Sequence, residues 1–191
     1  MRYVIIPGIT GSGAEHWQTL WEQAWGDAAI RISPASWDEP DLDDWLPAID
    51  RAVAGSGPNV VLVAHSLGCL AAGAWLSRGP QPTVRGAFLV APPSAQSPSF
   101  PAAEAPSFVP LEPAPLATPT LVVTSDDDPY CDPETARRMV EAWHAGHVGI
   151  GSAGHINAAS GLGTWPVGQS LLTAFVTGLG GVRGSELEGR G

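Results

Sequence analysis

Residues 59–64 read NVVLVA, an apolar run with no alternating polar positions. A strand with one wet face alternates. A run without alternation is covered on both faces, as in a parallel sheet between two helix layers. Other β-rich runs stand at 2–7 (RYVIIP), 84–93 (VRGAFLVAPP), 119–125 (PTLVVTS) and 147–152 (HVGIGS), with a shorter candidate at 29–33. Segments of helical length separate them. Trp17, Leu20, Trp21 and Trp25 share one face of a helix over 14–25. Asp41 is placed to cap a helix reaching about residue 54, where GSGP stops it. Further helices are expected over 67–78, 134–145 and 165–178, the last with Pro166 in its first turn. This β-α alternation predicts an α/β fold. Its single, mostly parallel sheet has about six strands, with helices on both faces.

The 191 residues suffice for one domain with a sizeable core. The tail 180–191, GGVRGSELEGRG, lacks apolar content and is expected to lie disordered outside a 1–179 domain. A formal charge of −10 opposes general nucleic-acid binding. All nine basic residues are Arg, so neither a lysine Schiff base nor a phosphate-gripping P-loop lysine is available. Cys69 and Cys131 form no zinc spacing and are read as small buried hydrophobes. No run approaches the roughly 20 apolar residues of a membrane span, and the apolar start is too short for a signal segment. The expected location is the cytoplasm. Residues 92–118 carry eight prolines, a loop long enough to suggest a lid or a substrate rim.

The strongest strand ends in VAHSLG (63–68). A serine on a sharp strand-to-helix turn is lifted out on a strained backbone, and small residues must stand two before and two after it. Here these are Ala64 and Gly68; the usual pattern has Gly at the first of them. A hydroxyl needs a base to become a nucleophile, and this kind of turn is followed in chain order by an acid and a histidine at later strand ends. The strand at 119–125 leads into SDDDPYC, with Asp126, Asp127 and Asp128, and the last strand is followed by His155 in SAGHIN. The three aspartates alone also fit a solvated loop or a hard-cation site. An oxyanion would find one donor in the Leu67 N–H and a second in the loop PGITGSGAEHW, from Ile9 or Thr10. Thr10, His16 and Trp17 of that loop are candidate pocket residues. His65 is read as support of the turn, and His144 and His147 as surface or packing residues. Gly8, Gly11 and Gly13 also suggest a dinucleotide-binding turn, but their order is G-x-x-G-x-G rather than G-x-G-x-x-G.

Nearly the whole chain resembles the α/β-hydrolase superfamily. Within it, the chain is similar to the small serine hydrolases of the retinoblastoma-binding protein 9/YdeN type. The resemblance rests on VIIPGITGSGAEHWQTLWE, SWDEPDLDDW, VVLVAHSLGC, AFLVAPP, SDDDPYC and GSAGHINAASGLGTWPVG. It implies a hydrolase core with little or no cap and no cofactor or metal. It also implies a Ser66 nucleophile, a His155 base and, because the family's acid precedes the proline of an Asp-Pro pair, Asp128 as the acid. The expected activity is serine hydrolysis of a small-molecule acyl substrate, an ester before a thioester or amide, through an acyl-enzyme. The alternative is a protein-binding module on a hydrolase scaffold, since fold does not dictate function.

Overall fold

The computed structural model describes residues 1–185, with side chains through residue 180. Six parallel strands form one sheet: β1 (Arg2–Ile6), β2 (Ala29–Arg31), β3 (Val60–His65), β4 (Val84–Val90), β5 (Thr120–Thr124) and β6 (Gly146–Gly149). Their spatial order is β2-β1-β3-β4-β5-β6, every neighbouring pair parallel. The connecting helices are α1 (Trp17–Trp25), α2 (Leu42–Ser56), α3 (Leu67–Ser77), α4 (Pro133–Trp143) and α5 (Pro166–Ser185). From β1 the chain steps outward to β2 and then returns to β3 on the other side of β1. That reversal is the switch point of an open parallel sheet, where a crevice opens beyond the carboxyl ends of the strands.

Side-chain alternation along each strand divides the core in two. Val4, Ile6, Val60, Leu62, Ala64 and Leu89 face a layer made by α2, α3, α4 and the 92–118 segment. Ile5, Val61, Val63, Phe88, Val90 and Val123 face Trp17 and Trp21 of α1 and Leu172 and Leu179 of α5. Both faces are dry, which is why β3 carries no polar position before His65. Helix α3 is buried through most of its length, and its own residues are apolar all round.

The structure departs from the sequence expectation at several points. Strand β6 ends at Gly149, because Gly151 (φ 75°) turns the chain away soon after. Helix α5 continues past 178 to Ser185, with Leu179 anchored in the core, so the start of the expected tail is helical; residues 186–191 lie outside the described residues. Residues 92–118 are tied down: Phe100, Ala105, Phe108 and Leu116 sit in the core, and Phe108 meets Trp45 edge-on at 5.5 Å. Cys69 and Cys131 are buried thiols, Cys69 donating to the Val90 carbonyl. Burial pushes the Cys131 thiol up to about 12.

Gly68 lets α3 rest directly on the end of β1. A β-carbon there would run into the carbonyl oxygens of Ile6 and Pro7, 2.5 Å from the latter. Backbone cannot yield as a side-chain tip would. Gly68→Ala should therefore cost about 3 kcal/mol, read as a lower urea midpoint with an unchanged slope; a wild-type midpoint would contradict this seating.

Candidate active site

Ser66 stands between β3 and α3 with φ 54° and ψ −128°, a left-handed backbone that a side chain rarely adopts. Its N–H is held by the Val90 carbonyl at 2.9 Å, and its carbonyl accepts the Cys69 N–H at 2.8 Å. Gly8 passes so close that a β-carbon on it would be 2.8 Å from the Ser66 β-carbon. The small residue is needed there so that the first loop can lie beside the hydroxyl.

His155 and Asp128 reach the same point from the loops after β6 and β5. His155 Nε2 is 2.7 Å from Ser66 Oγ, and His155 Nδ1 is 2.9 Å from both carboxylate oxygens of Asp128. A carboxylate only accepts, so Nδ1 carries the ring proton, and Nε2 of the neutral ring accepts from the serine O–H. The Tyr130 N–H donates to Asp128 Oδ1 at 2.9 Å, and the Tyr130 ring lies 4.3 Å from that of His155. Ser66, Asp128 and His155 are all buried.

The three aspartates have different surroundings. Asp128 faces His155. Asp127 Oδ1 accepts from Ser125 Oγ at 2.8 Å and from the Gly154 N–H at 2.7 Å, which latches the loop just before His155. These bonds, Ser125 first, hold its carboxyl below the usual carboxylate range. Asp126 is exposed; its backbone N–H donates to the Gly151 carbonyl. Among the described residues, no group of three His, Cys, Asp or Glu side chains is arranged to hold a metal ion.

The glycine loop forms a short 3-10 turn, Ile9–Gly11, and α1 begins only at Trp17. A dinucleotide turn would deliver its glycines to a helix N-terminus; here only Gly8 lies against Ser66, while Gly11 packs on the Trp37 ring. The Thr10 N–H is taken by the Trp37 carbonyl at 2.9 Å. Ile9 opens the turn and Leu67 opens α3, so neither N–H has a partner within its helix. Ile9, Thr10, His16, Leu67 and Ser66 all line a cavity of about 500 Å³, with Ser99 and Pro101 of the 92–118 segment at its edge. Buried Phe100 and Phe108 anchor that segment.

Trp17 is a correction: it is buried outside this cavity. Its indole N–H donates to the Ile156 carbonyl at 2.8 Å, so it braces the residue after His155. Its place on the apolar face of α1, packed on Trp21 and Trp165, turns it inward. Two residues escaped the sequence reading. Gln18, fully buried, donates through Nε2 to the carbonyls of Ile6 (3.3 Å) and Val63 (3.0 Å) and accepts from Ser12 Oγ (2.7 Å), joining β1, β3 and the glycine loop. Arg31, at the end of β2, donates to the carbonyls of Gly11 (2.5 Å) and Ser12 (3.2 Å). A lone amide among the tryptophans of an otherwise apolar helix face was the available signal for Gln18.

Burial, then the Arg31 charge and then His155 bring the His16 ring down to about 4. His65 is held well below its ordinary 6.5, by burial first and then by His155 and His16. Both folded values are lowered, so the unfolded chain takes up protons first as the pH falls through 6.5. Stability is therefore complete above 6.5 and declines towards pH 4, by about 1.4 kcal/mol per pH unit for each such histidine. The urea midpoint should be lower at pH 5 than at pH 7; equal midpoints would contradict these buried neutral rings.

No curated protein sequence matches the chain. A crystal structure of a YdeN-like hydrolase from Pectobacterium atrosepticum is 34% identical over 93% of this chain and 91% of that one, with a TM-score of 0.81. The ydeN gene product of B. subtilis is 21% identical over 93% of this chain and 100% of that one, with a TM-score of 0.67. The esterase domain of a Rhodothermus marinus protein is 18% identical over 92% and 87%, again with a TM-score of 0.67. At those two lower identities the likeness is one of fold. The serine hydrolase family matches residues 3–174, nearly the whole chain. The protein thus belongs to the serine hydrolase family, as a small α/β-hydrolase.

Proposed function

We propose that this protein hydrolyses carboxylic esters through an acyl-enzyme on Ser66. The observation that carries the reading is the unbroken hydrogen-bonded line from Ser66 Oγ through the His155 ring to Asp128. Ser66 Oγ attacks the ester carbonyl carbon as its proton moves to His155 Nε2. The oxyanion that forms is received by the N–H groups of Leu67 and Ile9. His155 returns the proton to the departing alcohol, leaving an ester on Ser66. A water molecule then attacks that ester, His155 takes its proton, and the acid is released with Ser66 restored. Asp128 keeps the imidazole in the productive tautomer and stabilises its cation. Esters are favoured over amides because an alcohol leaves more readily than an amine. The cavity combines small residues with a few apolar ones, Leu67, Tyr130 and Ile9 among them, which suits a compact acyl group.

Two expectations follow, both read with purified, folded variants. With p-nitrophenyl butyrate, Ser66→Ala should lower kcat/KM by on the order of 10⁴-fold or more while retaining the wild-type melting temperature. Full activity in that variant would overturn the reading. Among the aspartates, Asp128→Asn should lose on the order of 10⁴-fold in kcat through the wrong tautomer. Asp126→Asn should retain wild-type turnover, and Asp127→Ala should fall between the two. Equal losses at all three positions would contradict the separate roles drawn from their contacts.

A further inference from the structure

Beyond the Ser66–His155 contact itself, a second bond joins the nucleophile's turn directly to the base. His65 Nε2 donates to the backbone carbonyl of His155 at 2.9 Å, across 90 residues of sequence. A carbonyl can only accept, so Nε2 carries the proton of the neutral His65 ring. The donor sits on the residue immediately before Ser66, and the acceptor belongs to the peptide of His155. The ring is 4% exposed, and it is fixed on three sides: by the edge of His16 at 4.6 Å, by Trp17 at 6.0 Å and by the His155 ring at 5.0 Å. The loop it holds has left-handed backbone on both sides of His155, at Gly154 (φ 57°) and Ile156 (φ 48°). Such a loop keeps one conformation only where its surroundings impose it.

We propose that His65 is the positioning residue that sets the distance between Ser66 and His155. Any drift of the His155 peptide away from the serine stretches the His65 bond, which is itself carried on the serine's own turn. The two reacting groups are thereby referenced to each other through a tie of one side chain, independent of the rest of the sheet. Burial also keeps His65 uncharged beside His155 while the latter holds a proton, so no second cation opposes that step.

The inference rests on the acyl transfer by Ser66 and His155 proposed above. Its test compares wild type with His65→Leu, which fills space without a donor, His65→Gln, whose amide reaches the Nε2 position, and His65→Asn, whose amide falls short. Ser66→Ala is measured beside them. The expected result for His65→Leu is a loss in kcat on the order of 10²-fold with little change in KM. The rate constant for fluorophosphonate modification should fall equally, because that reaction needs the same alignment. His65→Gln should recover most of both rates, and His65→Asn should not. A His65→Leu kcat within about twofold of wild type would overturn the proposal. So would equal losses in the Gln and Leu variants that track their melting temperatures, since packing alone would then account for them. Should the leucine variant not fold, Gln against Asn decides: recovery in Gln alone upholds the tie, and equal rates overturn it. Retained turnover in Ser66→Ala would instead sink the reading of the reaction on which the inference stands.

Discussion

The backbone of Ser66 is held at φ 54° and ψ −128°, a state that costs a residue with a side chain about 1–3 kcal/mol. Most of the structure around it serves to impose that state. Strand β4 holds the Ser66 N–H, and α3 is pressed onto the end of β1 at Gly68. The first loop passes beside the serine at Gly8. A larger residue at either glycine would separate these elements and let the turn relax. The strain is supported by two dry core layers on opposite faces of the sheet, which explains why β3 is apolar from Val60 to Ala64.

The sheet order makes the meeting place, and side-chain ties make it accurate. Reversal at β1 opens the crevice, while β5 and β6 deliver Asp128 and His155 to the same edge. The loop carrying His155 is then fastened at four successive residues. Ala153 binds Ser125, Gly154 binds Asp127, the His155 carbonyl binds His65, and the Ile156 carbonyl binds Trp17. Gln18 and Arg31 do similar work for the glycine loop. Placement within a fraction of an ångström matters for the proposed proton transfer between Ser66 and His155, which falls steeply with misalignment. Burying His16 and His65 as neutral rings lowers stability in mild acid as a consequence.

The architecture was legible because its signals are local. A short, β-branched apolar run without alternation reads as a strand covered on both faces, and the turn residues after it are small for a steric reason visible in the motif. Six strands and five helices follow from such punctuation. Asp128 was a different case: spacing left Asp126, Asp127 and Asp128 equivalent, and the resemblance singled out the one before Pro129. The part each plays depends on contacts across the sheet edge, which no local pattern encodes. Trp17 was misplaced for the same reason, since its indole N–H finds a partner 139 residues away. The 92–118 segment read as a loop because its prolines hide any period. Phe100, Phe108 and Leu116 stand eight residues apart, too widely spaced to show a helix or strand period, yet they are what anchors it.

The central claim is that Ser66 is an activated nucleophile, and intact mass after treatment with a fluorophosphonate probe tests it most directly. The account predicts one adduct on the wild-type protein and none on Ser66→Ala under the same conditions. A folded wild-type protein that gains no mass, or a Ser66→Ala protein that gains the same mass, would contradict it.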